Sequence, residues 1–295
     1  MAQLNTDAEH GHLPRISEDC LIKFVTYCQT VLHLRHDTIK LYLSGIKFHY
    51  IKCNNVDILT GNLQLPYILK AVKRSQCNVP SGLRLPITFN VLLDICTTLS
   101  RGLHSPSVDL MLKCIFTVAF YGFLRCGEFT VNNTSTSYIQ ASDVELASDL
   151  SQLTLLLRSS KTDPFSKGVP ILIFNSPPLL PVTIMSNYLS HRRNLGATPQ
   201  SPLFTEPQSN LPLSRPTFIN LLRISLTAAG YNDQHFSGHS FRIGACTSGA
   251  ANGVPDHLLQ TLSRWQSSCY ARYIHTNKSS IAQAQLQLSK ALNIN

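Results

Sequence analysis

The stretch SVDLMLKCIFTVAFYGFLRCGEF, residues 107–129, limits the fold more than any other segment. From Leu110 to Leu124 its only charged residue is Lys113, and its apolar residues fall on every face of a helix. A helix of that kind lies in a core and has to be enclosed by other elements. The chain can supply them, because it has 295 residues, 43% of them hydrophobic, enough for two domains of ordinary size. The same stretch ends in Arg125 and Glu128. An arginine at the end of so apolar a helix is costly unless something anionic meets it.

Around this segment the patterns are mostly helical. SEDCLIKFVTYCQTVL opens with a serine cap and two acids, and HDTIKLYLSGIKFHYIKC follows with apolar residues at helical spacing. Residues 16–75 therefore read as a helical domain behind a tail at 1–15, with a Pro- and Gly-containing linker at 76–87 and a larger domain at 88–295. In the larger domain, DVEL, LTLLLR (153–158) and VPILIF (169–174) are short runs of β-favouring residues. The last two flank the turn-rich tip SSKTDPFSKG, which predicts a small sheet ending in a lysine-bearing hairpin. Helical patterns resume with PVTIMSNYLSHRRNL, SRPTFINLLRISLTAAG, HSFRIGACTSGAANG and VPDHLLQTLSRW, and close with SSIAQAQLQLSKALN. The expected fold class is mainly α with one small β-sheet.

Charge and cysteine usage narrow the setting. Lys and Arg outnumber Asp and Glu by 25 to 16, a net charge of +9 that favours a polyanionic partner without choosing between DNA, RNA and an acidic membrane surface. The opening MAQLNTDAEHGHLPR lacks an apolar core behind a basic head, so no secretory signal is expected there, and no apolar run approaches membrane-spanning length. Nine scattered cysteines, never two residues apart, argue against both a disulfide framework and a zinc ribbon.

GHSFRIGA, residues 238–245, places His239 and Arg242 three apart at a helix start. One supplies a movable proton and the other a fixed bidentate charge, a sensible pair around a phosphate. By itself the pair is a weak signal, and capping or core packing accounts for it as well. His235 and His239 are four apart, but Ser237 and Gly238 interrupt any helix between them and the motif holds no acidic general base, so no metal is expected. Downstream, SRWQSSCYARYIH carries Trp265, Tyr270 and Tyr273; the two tyrosines are three apart, and spacing does not choose between them.

Taken in order, Arg125, Lys161, His239, Arg242, Trp265 and Tyr273 resemble the tyrosine recombinase, or phage integrase, family. The resemblance runs from about residue 16 to the C-terminus. FYGFLRCGEF, SKTDPFSKG and HSFRIGACTSGAANGVPDHLLQTLSRWQSSCYARYI are most similar to recombinases of eukaryotic mobile elements of the DIRS, Ngaro and Crypton kinds.

The resemblance implies a helical SAM-like core-binding domain and a catalytic domain closing as a C-shaped clamp on double-stranded DNA. It implies strand cleavage by Tyr273, whose YIH context matches the family ending, with a covalent 3′-phosphotyrosyl intermediate and no cofactor. Arg125, Arg242 and Trp265 would stabilise the charged transition state, His239 would handle the nucleophile's proton, and Lys161 would protonate the leaving oxygen, with Lys167 as the fallback in another hairpin register. Glu128 would orient Arg125, and Lys40, Lys47 and Lys167 would contact DNA. The C-terminal helix, with Ile281, Leu286, Leu288 and Leu292, implies exchange between subunits of a tetramer on two duplexes. Nuclear location is implied by the mobile-element likeness alone. A DNA-binding descendant without activity, and a type IB topoisomerase or hairpin telomere resolvase, are the competing readings.

Overall fold

The computed structural model describes residues 13–76, 84–132, 138–158 and 168–264. The chain divides into two compact units, Met1–Gly82 and Leu83–Asn295.

In the first unit three helices, α1 (Glu18–Thr30), α2 (His36–Asn54) and α3 (Leu65–Ser75), pack around Leu21, Val25, Cys28, Ile39, Leu43, Ile58, Leu65 and Val72. Ser17 caps α1, its hydroxyl accepting from the Cys20 N–H. The acid next to it acts at longer range: Glu18 Oε1 accepts from the N–H groups of Gln64 and Leu65 at 2.6 and 2.8 Å, satisfying the start of α3. A first-turn acid of one helix thus caps another and joins the ends of the unit.

The second unit is built on α5 (Pro106–Tyr121), the apolar segment singled out by sequence. Ser105 caps it, Pro106 fills its first position, and the run from Cys114 to Phe120 is buried without a break. Helices α4 (Phe89–Ser100), α7 (Pro181–Asn194) and α9 (Ser240–Ala251) enclose it. Phe241 of α9 packs on Phe116 at 5.2 Å between ring centroids, and Phe218 of α8 (Arg215–Ala228) sits edge-on to the pair's neighbour Phe129 at 4.9 Å. Each such fully buried ring contributes about 1.5–3 kcal/mol.

The strands β1 (Val144–Leu146), β2 (Gln152–Leu157) and β3 (Val169–Phe174) form an antiparallel sheet in that order, with Thr154 opposite Leu172. Alternation decides the faces: Leu153, Leu155, Leu157, Ile171 and Ile173 are buried, while Leu156, Leu172 and Phe174 are exposed. Pro170 lies in β3, an edge strand, where its missing N–H costs no ladder bond. The mainly helical fold with one small sheet is as expected. Two short helices complete the unit, α6 (Cys126–Phe129) and α10 (Asp256–Ser263).

Residues 84–88 run alongside α9. The N–H of Leu85 donates to His235 O at 2.7 Å and that of Ile87 to Ser240 O at 2.9 Å. Gly244 makes this possible, because a Cβ there would lie 1.7 Å from the Ile87 carbonyl oxygen. Ile87, inside the stretch read as linker, is fully buried in the larger unit's core. Among the described residues no helix is long and apolar enough to cross a membrane.

Candidate phosphate-binding site

Helix α5 stops at a left-handed residue. Phe123 has φ 49°, its N–H returns to Phe120 O, and the Leu124 N–H returns to Ala119 O at 2.9 Å. This closure turns the Gly122 and Phe123 carbonyls outward at the negative end of the helix. Arg125 follows as the residue before α6, and Glu128 caps it. The carboxylate accepts from the Arg125 backbone N–H at 2.8 Å through Oε2 and pairs with Arg125 Nη1 at 3.0 Å through Oε1. Glu128 is thus at once the ion-pair partner of Arg125 and part of the helix cap.

Helix α9 brings the second set of groups. Gly238 lies so close to α6 that a Cβ there would fall 2.5 Å from Cys126 Cβ. Cys126 is the residue after Arg125 and His239 is the residue after Gly238, so this approach draws the two motifs together. Ser237 and Ser240 bond across the start of α9, the Ser237 N–H donating to Ser240 Oγ at 2.9 Å. His239 is the N-cap residue and Arg242 lies in the first turn.

Arg242 is fully buried. Its Nη1 donates to Phe123 O at 2.5 Å and its Nη2 donates to Ser263 O, the last residue of α10. Carbonyls at the ends of two helices therefore hold the guanidinium in place. A third arginine, Arg264, completes the cluster: Nη1 donates to Gly122 O at 2.9 Å, and Nη2 donates to Phe123 O at 3.3 Å and pairs with Glu128 Oε2 at 3.0 Å.

Among the described residues, Arg125 and Arg264 thus pair with one carboxylate, and Arg242 lies close enough to feel the charge of all three groups. Burial, reinforced by Arg125 and Arg264, pulls the Arg242 pKa down to about 9. The His239 imidazole is held below its ordinary value of 6.5, first by burial and then by Arg242, Arg125, Arg84 and Arg215. It is therefore neutral at pH 7 and able to accept a proton. Among the described residues the cluster has an excess of positive charge in a partly desolvated place, which is the electrostatic requirement for binding a phosphate.

The structure brings Arg125, Glu128, His239 and Arg242 together. Lys161, Lys167, Trp265, Tyr270 and Tyr273 lie outside the described residues, as does the C-terminal segment with Ile281, Leu286, Leu288 and Leu292. Just past β2, Arg158 Nε pairs with Asp143 at 2.7 Å. Lys40 and Lys47 lie on α2 of the other unit; Lys40 is exposed, and Lys47 is paired with Asp57 at 2.6 Å. No group of three or more candidate metal-ligating side chains occurs among the described residues. Sequence reading missed Arg264. The residue stood next to Trp265 in SRW, but nothing local marks its tie to a carboxylate 136 positions away.

No protein-family model matches the chain, and no curated protein matches it significantly by sequence. Solved structures do match. The XerH site-specific recombinase bound to palindromic difH substrate, in its post-cleavage complex, shares 16% identity over 92% of this chain and 69% of that one, with a TM-score of 0.61. The Tn1549 transposon integrase in complex with transposon right end DNA shares 14% identity over 93% and 86%, also at 0.61. The XerA recombinase shares 18% identity over 92% and 83%, at 0.53. Mainly helical with one three-stranded antiparallel sheet, the chain has the fold of the tyrosine recombinases.

Proposed function

We propose that this chain is a site-specific DNA recombinase that cuts and rejoins strands through Tyr273, without metal or ATP. The observation that carries the reading is the convergence of Arg125, Arg242 and His239 on one positively charged site. In the proposed step the Tyr273 phenol oxygen bonds to phosphorus and the bond to the 5′ oxygen breaks. The phenolic proton passes to neutral His239, and Lys161 protonates the departing oxygen. Arg125 and Arg242, with Trp265, bind the non-bridging oxygens as charge builds on them. Because the phosphodiester energy is kept in the 3′-phosphotyrosyl bond, rejoining needs no ATP.

Several finer points belong to the same proposal: integration of a mobile element in the nucleus, DNA contacts by Lys40, Lys47 and Lys167, and a tetramer on two duplexes joined by the C-terminal segment of a second copy. An apolar cleft of about 340 Å³, lined by Phe89, Phe120, Tyr121, Phe174, Val254 and Leu262 among others, supports the last point.

A nicked suicide duplex carrying candidate element ends tests the chemistry. The parent and Tyr270→Phe should form a covalent protein–DNA adduct, and Tyr273→Phe should form none. An adduct from Tyr273→Phe with none from Tyr270→Phe moves the nucleophile to Tyr270. Retardation of the duplex with no adduct from any form favours a binding-only descendant.

A further inference from the structure

Arg264 stands at the C-cap of α10 with φ 56°, in the left-handed region that glycine enters freely and other residues enter at about 1–3 kcal/mol. Its side chain is only 12% exposed and spans from the carbonyl end of α5 to Glu128. A long charged side chain kept where the backbone favours glycine points to a role for the guanidinium itself.

That role follows from how Glu128 divides its oxygens. The carboxylate, 5% exposed, gives Oε1 to Arg125 and Oε2 to Arg264. Without Arg264 the whole buried negative charge would face Arg125 and cancel it. With Arg264 present, Glu128 is already neutralised from behind. Arg125 is the more open of its two arginines, at 21% exposure, and its guanidinium makes a single hydrogen bond among the described residues, the one to Glu128. Its other N–H groups are left to turn toward an anion.

We infer that Arg264 is a positioning residue that neutralises Glu128 and so leaves the charge of Arg125 available, beside Arg242, to a bound phosphate. The inference rests on the phosphate-cleaving reading above, but its test does not need catalysis.

Inorganic phosphate is titrated calorimetrically into the full chain at low ionic strength, with four proteins: parent, Arg264→Gly, Arg264→Lys and Arg264→Gly/Glu128→Gln. Glycine suits the left-handed backbone, so the first variant removes the guanidinium while easing the fold, and a thermal melt verifies this. Arg264→Gly should weaken phosphate binding by roughly tenfold or more, the effect of exposing one carboxylate charge a few ångströms from the ligand at intermediate dielectric. Arg264→Lys, which keeps the charge, should fall between. The double variant should recover most of the parent's affinity, because the carboxylate that needed neutralising is gone. A purely structural Arg264 gives no such rescue. Parent-like binding by Arg264→Gly, absence of rescue, or no phosphate binding by the parent overturns the inference. If the expected pattern appears and no adduct forms in the suicide-substrate assay, the charge assignment stands and the recombinase reading falls.

Discussion

Arg192 and Arg242 are both buried, at 7% and 0% exposure, and both donate to backbone carbonyls, yet their surroundings differ. Arg192 lies in the last turn of α7, where the helix dipole favours a cation, and its Nη2 reaches Pro202 O at 3.1 Å. Arg242 is set in a first turn, where that dipole opposes it, and shares its site with Arg125 and Arg264. The first arrangement satisfies its charge locally. The second concentrates charge against two unfavourable terms, burial and like-charge repulsion, which the carbonyl ends of α5 and α10 and the Glu128 carboxylate offset among the described residues. The contrast separates a guanidinium set at a favourable helix end from one that, on the proposed function, meets the DNA phosphate.

The largest expected effect lies on the Arg242 side. Arg242→Lys should slow adduct formation on the suicide substrate by roughly 10²–10³-fold, since an ammonium cannot reproduce the fork geometry at a developing phosphate charge. Arg192→Met should leave that rate within about twofold. Comparable losses at both positions would erase the distinction between them.

The second effect lies on the Arg192 side and concerns stability. Arg192→Met removes the donor to the Pro202 carbonyl and should lower the unfolding free energy by about 1–3 kcal/mol in a urea titration. An unchanged midpoint would show that Arg192 does not serve the fold in this way.

The smallest effect sharpens the charge argument through His239. Its folded pKa lies below 6.5, so between 6.5 and that lower value the unfolded chain binds a proton that the folded chain refuses. Stability from this group is complete above pH 6.5 and is lost as pH falls through the folded pKa. Subtracting the stability–pH curve of His239→Gln from the parent's, by thermal unfolding between pH 5 and 8, should leave a loss on the acid side. A difference of opposite sign would mean that the imidazole meets an anion in the free protein.

Much of the fold was legible because its determinants are local. Ser17 caps α1 where the sequence reading opens it, α5 begins at Pro106, one residue before the stretch read as apolar helix, and the runs 153–158 and 169–174 read as strands pair as β2 and β3. The pairing of Arg125 with Glu128 was also legible, since three residues on one turn are neighbours in any helix start. His239 and Arg242 gave the motif but not its surroundings. Arg264 escaped notice because a residue at a helix end shows neither its backbone conformation nor a partner far along the chain.

What the sequence by itself determined is the set of elements and their residue types: a central apolar helix, a small sheet, and Arg, Glu, His and Arg in a fixed order. Periodicity and caps act over a few residues, and such terms can be read from the chain. Only the tertiary structure decided that the ends of α5 and α10 meet the first turn of α9, through the bonds of Arg242 to Phe123 O and Ser263 O, with Gly238 close against Cys126. That meeting makes three separated arginines into one site, because electrostatic excess depends on distances that sequence does not specify.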